Sequence, residues 1–143
     1  MHTLGITSML LVPAENLLVT LGYDQVVKVI ETETLALVFT TTNKHGRFSG
    51  LAWDTEQRML FLTDETGRIG IYNVFTGKLL KEEQVSANQH LRGVSIVPMS
   101  QRILLLDRGQ ATVWSIDQQQ QGLDNFEGHT GVSSAYRAQC CCI

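Results

Sequence analysis

The stretch that decides the fold occurs three times in this chain. DQVVKVIE at 24–31 aligns with TGRIGIYN at 66–73 and with RGQATVWS at 108–115, and each copy starts 42 residues after the one before. Alternation of apolar and polar residues over such a short run predicts a β-strand. The copies close on bulky side chains at equivalent positions, namely Ile30, Tyr72 and Trp114. A fixed period of this length predicts a repeat architecture.

Further apolar runs surround each copy. Those directly in front cover 17–21, 59–63 and 103–106, those further upstream cover 6–12, 48–53 and 93–97, and weaker ones follow at 35–40 and 78–81. Gly and Asp residues between the runs suit tight hairpin turns, and in the third unit the last turn is widened by the glutamines 118–121. No window carries a sustained helical period. The sequence therefore predicts an all-β fold of about three four-stranded antiparallel sheets.

Composition narrows the class of protein. The 143 residues are 43% hydrophobic and 17% charged, which predicts one globular domain rather than a disordered chain. The net charge is −3 and the basic residues are scattered, so we expect no nucleic-acid groove. No apolar run approaches the roughly 18 residues of a membrane-spanning helix. The start lacks a signal sequence, and we expect a cytoplasmic, intracellular protein.

The arrangement of the repeat resembles the WD40 unit of β-propellers, in which a histidine stands near the start of four strands and a Trp-Asp pair near the end of the third. The histidines here are His2, His45, His90 and His129. The pairs at the Trp-Asp position are Ile30-Glu31, Tyr72-Asn73 and Trp114-Ser115. In WD40 repeats an Asp in the turn between the second and third strands bonds the histidine, which orients a hydroxyl and the Trp. Only Asp24 matches that Asp, so the resemblance implies degenerate repeats held mainly by packing.

The resemblance also implies a division of the chain into blades. They cover about 1–43, 44–88 and 89–127, a fourth begins at 128, and the partial propeller of 1–134 is followed by a disordered Cys-rich tail at 135–143. Propellers close with typically four to eight blades. Three blades leave the ring incomplete, and we expect a fragment of a longer propeller. The alternative is self-association through the open blade edges.

Residues that could carry chemistry are few. Asp64-Glu65 is the one carboxylate pair at a hairpin tip, where we expect solvated turn residues rather than an acid–base pair. The histidines fall on different blades, which favours structural roles over a metal site. No serine elbow or phosphate-binding glycine loop occurs. The terminal Cys140–Ile143 has the form of a prenylation signal at Cys140, but it lacks aliphatic middle positions. We therefore expect no enzyme, no cofactor and no metal.

The loops are the remaining candidates for function. Partner-binding propellers use the loops that join the fourth strand to the next first strand and the second strand to the third. Arg and Tyr are favoured at binding hot spots, and the candidates in these loops are Tyr23, Arg47, Arg92 and Arg108. The resemblance implies a non-enzymatic scaffold that binds other proteins within a larger complex. The alternative is a quinone-dependent dehydrogenase propeller, because GRIGIYN at 67–73 followed by TGK at 76–78 is similar to the blade motif of that enzyme class.

Overall fold

The computed structural model describes residues 2–85, 91–97, 100, 102–107, 109–115 and 136–139. These residues form three four-stranded antiparallel sheets, each with its strands in chain order. The strands are β1 (Ile6–Val12), β2 (Leu17–Gly22), β3 (Val26–Glu31), β4 (Leu37–Thr42), β5 (Phe48–Asp54), β6 (Met59–Asp64), β7 (Arg68–Asn73), β8 (Lys78–Gln84), β9 (Gly93–Val97), β10 (Arg102–Asp107), β11 (Gln110–Ser115) and β12 (Tyr136–Gln139). The helical content of the described residues is one 3-10 turn, Pro13–Glu15. The predicted all-β fold is confirmed.

The turns of the first two sheets share one backbone geometry. Residues with positive φ recur with the 42-residue period, as Asn16 and Arg58, as Gln25, Gly67 and Gly109, and as Leu35 and Gly77. Residues other than glycine rarely adopt positive φ, so this recurrence shows that the repeat extends to individual turn positions. Leu35, which the sequence placed in a strand, lies instead in the β3–β4 turn and donates its N–H to the Glu31 carbonyl, as Gly77 does to Asn73.

Irregularities in strand pairing repeat as well. The β1–β2 register shifts between Ile6 and Ser8, and the β5–β6 register shifts between Phe48 and Gly50. At each of these sites the first strand of the sheet contains one extra residue, and such a bulge bends and twists a strand locally. A second pair of shifts lies at Ile30 in the β3–β4 pairing and at Tyr72 in the β7–β8 pairing. The first two sheets are therefore bent in the same places.

The sheets stack face to face in chain order. The first contacts the second through β1 and β5, and the second contacts the third through β5 and β9. We call the face that a sheet turns toward the preceding sheet its leading face and the opposite one its trailing face. One core lies between the first two sheets and includes Val19, Val29 and Leu60, and a second lies between the last two and includes Phe61 and Ile103.

The bulky residues that define the repeat all lie on leading faces. Tyr72 packs against the first sheet, where its ring centroid is 5.8 Å from that of Phe39, and Trp114 packs in the core shared with the second sheet. Ile30 pairs with Leu18 as Tyr72 pairs with Leu60, so it occupies the same row, but it is only half-buried. Trp53 and Trp114 are both buried, as the sequence predicts.

The third sheet differs from the sequence expectation at its outer strand. That strand is β12, which pairs with β11 from Gln110 opposite Gln139 to Val113 opposite Tyr136. The sequence predicts a disordered tail over 136–139 because the pattern of the repeat ends after Ser134. An antiparallel partner needs complementary backbone groups rather than adjacency in sequence, and β12 supplies them. The expected start of a fourth unit at 128 lies outside the described residues.

Candidate partner-binding surface

The loops that contain the candidate contact residues lie along one edge of the stacked sheets. Because Ile6 pairs with Gly22, the segment before β1 lies beside the β2–β3 turn, and the Tyr23 N–H donates to the Gly5 carbonyl over 2.8 Å. The second sheet repeats this contact, since the Glu65 N–H donates to the Arg47 carbonyl over 2.9 Å. We call this edge the loop edge. Its described residues are 2–5, 23–25, 43–47, 65–67, 91–92 and 109.

A buried hydrogen-bonded chain supports the loop edge of the first sheet. The His2 Nδ1 lies 2.9 Å from the Asp24 Oδ1, and the His2 Nε2 lies 2.9 Å from the Thr20 hydroxyl oxygen. Asp24 also accepts the backbone N–H groups of Thr3 and Val26. Burial raises the pKa of this carboxyl, but the bonds from Thr3, His2 and Val26 outweigh burial and lower the pKa to about 2. Asp24 is thus a charged anchor that fixes the N-terminal segment on the β2–β3 turn.

Gly22 is the residue that makes room for this chain. A Cβ at that position would lie 2.5 Å from both the Asp24 Oδ1 and the His2 Nδ1. Any other residue would therefore displace one of the two side chains. The sequence contains the Gly22-Tyr23-Asp24 turn, but the need for a bare backbone beside His2 appears only in three dimensions.

The second sheet builds its loop edge from different side chains. Asn43, rather than His45, reaches the β6–β7 turn, and its Nδ2 donates to the Asp64 Oδ2 over 2.8 Å. The other oxygen of Asp64 accepts the Thr66 N–H, the Thr66 hydroxyl and the Arg68 N–H. His45 lies at the surface with its Nε2 3.6 Å from the Glu82 carboxylate. The second repeat therefore places an amide where the first places an imidazole.

Asp64 corrects one expectation from the sequence. The sequence predicts a solvated residue of a hairpin tip, yet Asp64 is only 3% exposed. A buried carboxylate is tolerated only when hydrogen bonds satisfy its oxygens, and Asn43 together with the β6–β7 turn does so. Because both oxygens accept bonds that hold the turn, Asp64 is built as a structural anchor.

The candidate contact residues lie on the loop edge with their side chains in solvent. Tyr23 is 65% exposed, and Arg47 and Arg92 are exposed as well. Their backbones are fixed, since the Tyr23 N–H and the Arg47 carbonyl make the contacts described above and the Arg92 N–H donates to the Leu106 carbonyl over 2.7 Å. The edge therefore presents a phenol and two guanidinium groups from three neighbouring sheets. Arg108, His90, His129 and Cys140 lie outside the described residues.

The opposite edge carries an inter-sheet contact that sequence reasoning missed. The Arg58 guanidinium pairs with the Glu15 carboxylate through two bonds of 2.7 and 2.8 Å, which joins the β5–β6 turn to the β1–β2 turn. The Arg58 Cζ also lies 4.5 Å from the centroid of the Phe75 ring. The Glu15 bonds raise the pKa of Arg58 above its ordinary value. No local pattern marks two residues 43 positions apart as partners.

No group of three or more His, Cys, Asp or Glu side chains is arranged to hold a metal ion within the described part of the chain. Among the same residues, no helix is both long enough and apolar enough to cross a membrane.

The architecture defines the class of fold. The chain has three four-stranded antiparallel sheets that stack face to face, with the strands of each in chain order. These sheets are blades of a WD40-type β-propeller, and the three do not close a ring. Neither a protein-family profile nor a curated protein sequence matches the chain.

Several solved structures are similar to this chain. The chain is similar to the structure of U3-55K at a TM-score of 0.73 with 13% identity, covering 82% of this chain and 38% of that one. It is similar to the Cps50 (Swd1) β-propeller domain of Myceliophteria thermophila at a TM-score of 0.69 with 14% sequence identity. This match covers 81% of this chain and 37% of that domain's chain. It is also similar to a chain in the mitotic checkpoint complex at a TM-score of 0.70 with 20% sequence identity. That match covers 80% of this chain and 36% of the other. The chain thus spans less than two fifths of the length of the propellers it matches.

Proposed function

We propose that this chain is a non-enzymatic scaffold that binds other proteins through its loop edge, as part of a larger complex. The observation that carries the proposal is the presentation of Tyr23, Arg47 and Arg92 in solvent on backbones that the stacked sheets hold fixed. A fixed backbone reduces the ordering cost of binding, and Tyr and Arg are the side chains most often found at hot spots. One of the similar solved chains belongs to a multi-protein assembly, the mitotic checkpoint complex.

The chemistry of the edge also favours binding over catalysis. The most buried carboxylate, Asp64, has both oxygens engaged with Asn43 and its own turn. The histidine of the same repeat, His45, lies at the surface with its Nε2 3.6 Å from the Glu82 carboxylate. A general base needs a free lone pair within reach of the proton it removes, and both oxygens of Asp64 already accept hydrogen bonds.

The test is a pull-down that compares two edges of the same chain. Immobilised wild-type protein should retain stoichiometric partners from a cell lysate, and the double variant Arg47→Ala/Arg92→Ala should lose them because each change removes an interfacial cation. Lys78→Ala is the matched control, since Lys78 is an exposed cation at the opposite edge. Retention of the same partners by the double variant would contradict the proposed surface.

A second measurement addresses the enzymatic alternative. The full chain is mixed with a quinone cofactor and calcium, and its visible absorption spectrum is recorded. The scaffold proposal expects no new band, because the described residues do not assemble a metal-binding group. A saturable band at stoichiometric cofactor would contradict the proposal and favour the dehydrogenase class.

A further inference from the structure

The leading face of the first sheet carries an apolar row, and no second sheet covers this row among the described residues. Its main row runs Leu11, Leu18, Ile30 and Leu37 across the four strands. Leu11 is 59% exposed, whereas Trp53, the equivalent residue of the second sheet, is 9% exposed. The neighbouring row is mixed, with exposed Met9 followed by Thr20, Lys28 and Thr40. The same row is therefore core in one sheet and surface in the other.

The equivalent rows of the second and third sheets are covered, and in each case the preceding sheet covers them. The leading face of the second sheet is covered by the trailing face of the first, including Val19, Val29 and Phe39. The leading face of the third sheet is covered by the trailing face of the second, including Phe61 and Ile71. In both cases the occupant is an aliphatic and aromatic trailing face of the same repeat.

One more trailing face of this repeat is present in the chain, on the third sheet. Its rows contain Leu104 opposite Val113 and Leu106 opposite Ala111, with side chains opposite in direction to the buried Ile103 and Trp114. Leu106 is 42% exposed and the other three are half-buried. The chain thus carries both halves of its own internal interface, one at each end of the stack, and they face away from each other.

We propose that these two faces bind each other between copies of the chain, so that the leading face of the first sheet in one copy packs on the trailing face of the third sheet in a second copy. The contact is head-to-tail, and such contacts generate a ring when the rotation closes. Two copies contribute six described sheets, within the four to eight blades of closed propellers, whereas three copies would exceed that range. The product is therefore a closed dimer with two identical interfaces. This association does not depend on the loop edge proposed above to bind partners.

The first test is the mass of the full chain in solution. Sedimentation equilibrium over a range of concentrations should give twice the 15.9 kDa of one chain, with dissociation on dilution. Leu11→Asp and Leu106→Asp should each give a monomer, because each places a charge in one half of every interface. Both side chains are exposed in the single chain, so circular dichroism should show an intact fold. Leu35→Asp is the matched control, since Leu35 is 76% exposed in the β3–β4 turn and lies off both faces.

The second test is complementation, which only a head-to-tail contact allows. Leu11→Asp keeps an intact trailing face and Leu106→Asp keeps an intact leading face, so an equimolar mixture should form a 1:1 heterodimer through one interface. Failure of the mixture to associate would overturn the head-to-tail arrangement. A wild-type monomer at every concentration, open assemblies larger than a dimer, or equal dissociation by Leu35→Asp would overturn the proposal. Loss of partner binding by the loop-edge variants with the dimer retained would leave this proposal intact, so the two proposals fail separately.

Discussion

The first two sheets place different side chains on the same backbone. In the first, His2 bonds Asp24 across the β2–β3 turn, and in the second, Asn43 bonds Asp64 across the β6–β7 turn. The turns nevertheless close alike, since Gln25 donates to the Gly22 carbonyl and Gly67 donates to the Asp64 carbonyl. This repeat therefore keeps its turn geometry and exchanges the side chains that stabilise the turn.

The two sheets differ more in their surroundings than in their backbones. The row of Trp53, Leu60 and Tyr72 is buried against the first sheet, while the equivalent row of Leu11, Leu18 and Ile30 is exposed or half-buried. Burial of apolar area is worth about 25 cal/mol per Å². Equivalent residues should therefore contribute unequally to the free energy of unfolding, and substitutions at paired positions can measure the difference.

The largest effect is expected in the buried row. Leu60→Ala should lower the free energy of unfolding by about 2–5 kcal/mol, because Leu60 is fully buried and its truncation leaves a cavity. Leu18→Ala, at the equivalent half-buried position, should cost about 1 kcal/mol in the monomeric chain. Urea unfolding with unchanged m-values measures both. Equal costs would contradict the difference in burial.

The second effect concerns β1 and β5, the first strands of their sheets. A Cβ at Gly50 would lie 2.7 Å from the Thr63 hydroxyl oxygen and 3.0 Å from the Gly93 Cα of the next sheet. Gly50→Ala should therefore destabilise the chain by about 1–3 kcal/mol through overpacking. The equivalent position in the first sheet is the exposed Ser8, where Ser8→Ala should stay within about 0.5 kcal/mol of wild type. Thermal unfolding of both variants compares them, and a neutral Gly50→Ala would contradict the close approach of β5 and β9.

A smaller effect is expected where the turns differ in residue type. Leu35 and Gly77 occupy equivalent left-handed positions with φ of 61° and 72°. Leu35→Gly should raise the free energy of unfolding by about 0.5 kcal/mol, because relief of strain exceeds the added freedom of the unfolded chain. Gly77→Leu should lower it by about 1 kcal/mol. Chemical denaturation resolves the opposite signs, and two changes of the same sign would show that the turns are not equivalent.

The smallest effect is confined to acid solution and to the first sheet. The pKa of Asp24 is about 2 in the folded chain against an ordinary value of 3.8. Since the folded pKa is depressed, the stabilisation by ionised Asp24 is complete above about pH 5 and is lost as the pH falls through 3.8 toward 2. Wild type and Asp24→Asn should therefore converge in stability in acid. Circular dichroism can follow unfolding of both proteins at each pH. A difference in stability between wild type and Asp24→Asn that does not change with pH would contradict the anchoring role of the carboxylate.

The local features of the fold were open to prediction from sequence. Alternating runs and turn residues placed β1 and β9 at their observed bounds and set the 42-residue spacing of Ile30, Tyr72 and Trp114. These features depend on neighbouring residues, and strand periodicity and hairpin turns report them directly. The fold class followed because three copies of the same pattern agree.

The features that were missed depend on contacts distant in sequence. Asn43 and Asp64 are 21 residues apart, and no motif distinguishes an amide brace from a polar loop residue. Leu35 looks like a strand residue until the β3–β4 turn is seen to need a left-handed position there. β12 follows a long polar stretch, so its pairing with β11 could not be read from the period of the repeat.

The most direct test of the repeated sheet is a set of cross-strand backbone NOEs in an NMR spectrum of the full chain. The structure predicts contacts between Val19 and Val29, between Phe61 and Ile71, and between Leu104 and Val113. Observation of all three in one antiparallel register would support equivalent sheets. A register displaced by one residue in any of them would contradict that equivalence, because it would turn the buried row of that sheet toward the opposite face.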